Sequence, residues 1–206
     1  MHRRSFIAAL LLPALLSGAR SSTAELVRSP GTAPSEWRID PAHSEVTFRI
    51  RHFVTKVRGR FTDVSGTITT DAAAWEDAAV AVEIRTASIS TENARRDAHL
   101  RSPDFFAADS FPIIIFRSTR IERRGDAGKI HGLLTMRGVT RPVVLEGRFN
   151  GIVRTPDGER AGFEATTTID RTAFGVTWNR AAEGGGAMLG DDVEVEIVVE
   201  AVRRGT

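Results

Sequence analysis

The side chains best suited to catalysis or metal binding are histidines. His43, His52, His99 and His131 lie far apart in the chain, on what read as four different elements. No HxH, HExxH or His/Cys grouping occurs, so no metal-ligand spacing is present. A serine nucleophile would need a sharp, exposed turn such as GxSxG, and none exists. Arg96-Asp97-Ala98-His99 sets an acid near a base. On a helix, however, residues two apart point to different sides, so the segment reads as a capping or loop-anchoring network. Glu194, Glu196 and Glu200 repeat along one strand's wet face, the ordinary place for carboxylates. Gly184-Gly185-Gly186 lacks the Lys and Ser/Thr of a phosphate loop. These patterns imply no catalytic residue, no metal site and no cofactor.

The elements around these residues are strands. From Trp37 onward, apolar and polar residues alternate. Val46, Phe48 and Ile50 share one face, while Glu45, Thr47, Arg49 and Arg51 share the other. The same period recurs over 61–70, 80–85, 112–121, 129–137, 142–152, 162–170 and 192–202. That makes eight strands, mostly joined by short Gly/Asp turns, so neighbours should pair antiparallel. Ile113 and Ile115 break the pattern by facing outward beside Ile114 and Phe116. They suggest an edge or a homodimer contact. Between about 90 and 102 the polar, unbranched run predicts a short helix, with Ser90 or Thr91 as N-cap and Pro103 ending it. The loop 179–191 carries the glycine run and is expected to be mobile. Eight alternating strands fit either a closed barrel or a two-sheet sandwich, and periodicity does not choose between them.

The N-terminus reads as an export address. Arg3-Arg4 precede an apolar run from Phe6 to Leu16, then the small residues Ser17-Gly18-Ala19. That run is too short to span a bilayer and fits a cleaved signal peptide over 1–19, whose Arg3-Arg4 pair resembles a twin-arginine signal, which places the mature protein in the periplasm. Residues 20–36 read as a disordered leader, and 37–203 as the folded domain. Net charge is only +2, against a nucleic-acid partner. The absence of Cys excludes a disulfide scaffold, thiolate metal ligands and a lipidated Cys. No later run is apolar enough to form a transmembrane segment.

Several blocks together resemble the YceI family, exported bacterial proteins with a lipocalin-like barrel. They include Trp37-Arg38-Ile39-Asp40-Pro41-Ala42-His43-Ser44, Val57-Arg58-Gly59-Arg60-Phe61 and Arg96-Asp97-Ala98-His99-Leu100. Asp104-Phe105-Phe106, Gly132 to Val143, Asp170 to Gly175 and Leu189 to Val193 complete the pattern. The resemblance implies an all-β fold, an eight-stranded antiparallel barrel with an apolar lumen. It also implies a non-enzymatic carrier for a polyisoprenoid lipid (a quinone tail or prenyl phosphate) or another long apolar molecule. On that reading the lumen is lined by Val46, Phe48, Ile50, Val82, Ile84, Ile114, Phe116, Leu134, Val143, Leu145, Phe163, Val195 and Ile197. Phe105, Phe106, Phe174 and Trp178 line or plug its mouth, and Arg96, Arg101 and Arg180 are rim candidates for an anionic headgroup. The competing reading is a solid barrel, packed by those same side chains, that acts as a structural or protein-interaction module.

Overall fold

The alternating runs become strands because one face of each can be buried while the other stays wet. The structure, a computed structural model, describes residues 35–71, 74–181 and 187–204. In chain order these form β1 (Ser35–Ile39), β2 (Glu45–His52), β3 (Thr55–Phe61), β4 (Val64–Asp71), β5 (Ala74–Arg85) and β6 (Ile89–Ser90). After them come α1 (Ala94–Arg101), β7 (Ile113–Arg124), β8 (Ala127–Met136), β9 (Val139–Thr155), β10 (Gly158–Asp170) and β11 (Leu189–Arg204).

These segments build a closed antiparallel barrel of eight walls, three of them broken in the middle. β1 and β2 run end to end along β11, with Arg38 opposite Val202 and Val46 opposite Ile197. β3 and β4 run together along them in the same way, pairing with β2 and β1. β5 and β6 form the third wall, interrupted by a 3-10 turn at Thr86–Ser88. β7 to β11 follow as a meander, and the β1–β11 pairing closes the ring. The ladder between β5 and β7 is short, from Ala81 to Arg85 against Ile113 to Arg117. Just beyond it the Val80 N–H donates to the Ser118 hydroxyl at 2.8 Å, and β7 slips register with β8 between Ser118 and Arg120.

Sequence and structure differ at a few edges. Ser35 and Glu36, assigned to the leader, belong to β1, where they pair with Thr70 and Thr69. The helix falls where expected, but its N-cap is Asn93, whose side chain accepts from the Arg96 N–H. Neither Ser90 nor Thr91 caps it. Ser90 lies in β6, and the N–H and hydroxyl of Thr91 both donate to the buried Asp97 carboxylate. Ile113 and Ile115 are half-buried, opposite Arg85 and Glu83 of β5. The signal segment, most of the leader and the glycines at 184–186 lie outside the described residues. Beside that run the Asn179 side chain donates from Nδ2 to the Leu189 carbonyl and accepts at Oδ1 from the Leu189 N–H. Among the described residues no helix is long and apolar enough to cross a membrane.

Candidate functional site: a divided apolar lumen

Inward-facing side chains do not fill the barrel. Two cavities lie along its interior, of about 230 Å³ and 260 Å³. The first sits toward the β7–β8 and β9–β10 hairpins, and we call it the hairpin-end lobe. The second lies beneath α1 and is the helix-end lobe. Val46, Phe61, Met136, Ile169 and Val195 line both, so they form the neck between them. Ligand pockets run from roughly 300 to 1,000 Å³. Each lobe alone is smaller than that, whereas the two joined through the neck fall within it.

Each residue that the alternating pattern turns inward lines one of these lobes. Phe48 and Ile50 face the helix-end lobe, and Val46 and Val195 face both. Val82, Ile84, Ile114, Phe116, Leu134, Val143, Leu145, Phe163 and Ile197 line the hairpin-end lobe. Sequence reasoning left out Phe61, Val64, Ile68, Ile121 and Ile169, which the same period extends to, and Trp75, which has no periodic context.

The neck has a fixed side and a soft side. Phe61 is wedged between aromatic rings, its centroid 5.9 Å from both Phe48 and Phe106. Met136 is unbranched and buried, packed in the same core cluster as Phe61 and Phe105, and its side chain has more rotamers than a ring. Glycines let the large rings lie against the wall. A Cβ on Gly59 would sit 2.3 Å from the Phe48 ring, and one on Gly132 would sit 2.4 Å from the Phe116 ring.

At the hairpin end, Trp75, Phe149 and Phe163 cluster with ring centroids 5.2–5.3 Å apart, and Trp37 packs on Trp75 at 5.6 Å. The Arg203 guanidinium covers Trp37 and also bonds Glu159, holding that carboxyl below its ordinary range. Nearby, Asp40, His43 and Glu200 bring their ligand-type atoms within 4.8 Å of one another. Arg160 Nη1 bridges the two carboxylates, so the cation there is already the chain's own. The Asp40 carboxyl is held low, chiefly by the His43 imidazole and the Ala42 N–H.

At the helix end, His99, Phe105 and Trp178 form a mutually packed trio, with centroids 4.9–5.1 Å apart. Phe105, Phe106 and Trp178 all line the helix-end lobe. Phe174 does not: it is buried in the main core beside Val176, because its 3-10 turn tucks the ring under the end of the barrel. The three rim arginines also divide. Arg96 lines the lobe, with Nε and Nη2 bonded to the Thr91 hydroxyl and carbonyl at 2.7 and 2.9 Å. Arg101 is not at the rim; it ties α1 to the carbonyls of Ala87 and Ile89, where the broken third wall leaves acceptors without ladder partners. Arg180 is exposed and stacks over Trp178 from outside the lobe, 5.7 Å from the ring. The cation missed from sequence is Arg171, only 4% exposed. It lines the lobe and donates to the carbonyls of Gly190, Val176 and Trp178 and to Asp191.

Among the described residues, no convergent nucleophile and base lines either lobe. His99 Nε2 meets Asp104 at 2.8 Å, His43 meets Asp40, and His131 meets Glu122 and Arg120. What the site offers is shape and an apolar wall.

The YceI-like domain model matches residues 37–201. A UPF0312 protein of Pseudomonas putida strain F1 is 34% identical over 209 residues, covering 99% of this chain and all of that protein. The UPF0312 protein SAB2563 of Staphylococcus aureus is 36% identical over 169 residues, 81% of this chain and 96% of its own. Among solved structures, the Campylobacter jejuni YCEI protein superposes with TM-score 0.65 at 33% identity, covering 74% and 88% of the two chains. Burkholderia cenocepacia BcnA shares the fold with TM-score 0.69 at 21% identity, over 80% and 99%. A polyisoprenoid binding domain from Saccharophagus degradans does so with TM-score 0.59 at 14% identity, over 82% and 99%. The family match spans nearly the whole barrel and the relatives align along nearly their full length: the chain belongs to the YceI-like domain family.

Proposed function

We propose that this protein is a non-enzymatic periplasmic carrier that holds the isoprenoid chain of a lipid in its lumen. The observation that carries this reading is the pair of apolar lobes in one barrel, separated only by a neck that includes the unbranched Met136. Burying apolar surface contributes about 0.8 kcal/mol per CH₂, so a few prenyl units reach the roughly 8 kcal/mol of micromolar binding. Ordering the chain offsets part of that gain, which favours a barrel whose cavity is already shaped. The polyisoprenoid binding domain with the same fold supports the ligand class. Arg96 and Arg171, which line the helix-end lobe, fit an oxygen-rich headgroup at that end. The test is native mass spectrometry of the purified protein incubated with a polyprenol. The expected result is a one-to-one adduct that survives a competing short-chain alcohol. A bare mass at every polyprenol concentration would overturn the proposal. Cell fractionation of the full chain tests its location, with a processed product expected in the periplasm.

A further inference from the structure

β2 and β3 are joined by only two residues, Phe53 and Val54, with His52 paired to Thr55. Two-residue hairpins favour Gly, Asn or Asp, because the turn demands positive φ. Here Phe53 adopts φ 52, a conformation bulky residues take at a cost. Phe53 is 42% exposed and Val54 96%. The only ring Phe53 meets among the described residues is His52, edge-on at 4.7 Å. A strained turn that presents two apolar side chains to solvent serves neither solubility nor packing.

The same hairpin is strongly cationic. From Val46 to Phe61 there is no Asp or Glu, while Arg49, Arg51, Lys56, Arg58 and Arg60 all lie there. Arg49, Lys56 and Arg60 pair with Glu196, Glu194 and Glu45 on neighbouring segments. Arg51 bonds only the Phe53 carbonyl, and neither it nor Arg58 forms an ion pair among the described residues. His52 and Val57, on the same two strands, line the helix-end lobe.

We propose that the Phe53–Val54 turn is a membrane-docking tip for an anionic bilayer. Its two apolar side chains enter the headgroup layer while Arg51 and Arg58, the two cations without an ion pair among the described residues, face lipid phosphates. A second copy of this chain is disfavoured as the occupant, because two such tips repel. So small an apolar tip gives weak, reversible attachment, and it would bring the helix-end lobe to the membrane surface. This docking does not depend on what fills the lumen.

The test is co-sedimentation of the full chain with vesicles. The wild type should pellet with vesicles containing phosphatidylglycerol and stay in solution with phosphatidylcholine alone. Arg51→Gln/Arg58→Gln should weaken partitioning on the order of 30-fold. Phe53→Gly/Val54→Ser should weaken it on the order of tenfold or more; Phe53→Gly suits the positive φ, so the fold is kept and an unchanged thermal midpoint checks it. The chain has no Cys, so Val54→Cys gives a single labelling site for an environment-sensitive dye. Its emission should shift blue on anionic vesicles. A label at Val153→Cys, 65% exposed at the opposite end of the barrel, should not shift. The proposal is overturned if the wild type ignores both vesicles, if the tip variants pellet like the wild type, or if the Val54 label sees no change. A protein partner would then be the better account of the tip.

Discussion

Met136→Ala should join the two lobes and change which ligands the barrel prefers. Met136 is 5% exposed and lines both cavities, so truncating it removes the soft half of the neck. Phe61 stays in place, held by Phe48 and Phe106. Buried Met→Ala changes cost about 2–5 kcal/mol, and the upper part of that range applies where the surroundings do not collapse. The ligand-free variant should therefore unfold at lower urea. A chain threading the enlarged neck would refill the space. Each added CH₂ contributes about 0.8 kcal/mol before ordering costs, so a ligand one prenyl unit too long for a single lobe should gain at least tenfold in affinity. A ligand short enough for one lobe should gain little. The assay is a polyprenol length series, measured for both proteins by displacement of a fluorescent apolar probe, together with urea unfolding with and without ligand. At about one hundred times Kd the bound chain should return roughly 2.7 kcal/mol of stability. If the variant gains equally for short and long chains, or loses affinity for both, the neck does not divide a single binding path and the reasoning fails.

Other consequences follow from the same geometry. Arg171→Leu leaves the carbonyls of Val176 and Gly190 without their donor, and should cost about 3 kcal/mol or more, read as a lower urea midpoint. Gly59→Ala forces the Phe48 ring, 2.3 Å from the new Cβ, into the helix-end lobe. It should cost roughly 1–3 kcal/mol and weaken probe binding, and unaltered binding would show that Phe48 has room elsewhere. Hydrogen bonds from His43, Arg203, Thr172 and Lys56 lower the pKa values of Asp40, Glu159, Asp170 and Glu194, respectively. The unfolded chain takes up these protons first as pH falls. This contribution should therefore be complete at neutral pH and shrink once pH drops below the ordinary carboxylate values of about 4. Urea midpoints measured from pH 7 to pH 3 should show that plateau and fall, whereas a midpoint rising toward acid would contradict it.

Much of the lumen face was legible in the sequence because period two is a local property: Val46, Phe48 and Ile50, or Val195 and Ile197, declare their side by spacing alone. Closure was not, since it rests on β1 meeting β11 through pairs such as Arg38 with Val202, at opposite ends of the chain. β1 and β3 escaped notice as strands because they are short and interrupted, one stopping at Asp40-Pro41, the other carrying Gly59 amid cations. The helix cap was misplaced because Thr91 looks like a cap in sequence, while in the fold its polar groups are already bonded to Asp97. Arg171 was invisible among so many arginines. Its role is set by carbonyls of the segment around Val176 and of β11 that only the folded chain gathers. The cavity volumes could not be read at all: whether inward side chains meet or leave space depends on barrel radius and on glycines such as Gly132, which let a ring lie flat against the wall.

The most direct test is a crystal structure of the protein after incubation with a long polyprenol. The account predicts continuous density running from the Trp75 end, past a displaced Met136, to the space beneath Phe105 and Trp178. Density confined to the outer surface, or a lumen closed by its own side chains with Met136 unmoved, would contradict it.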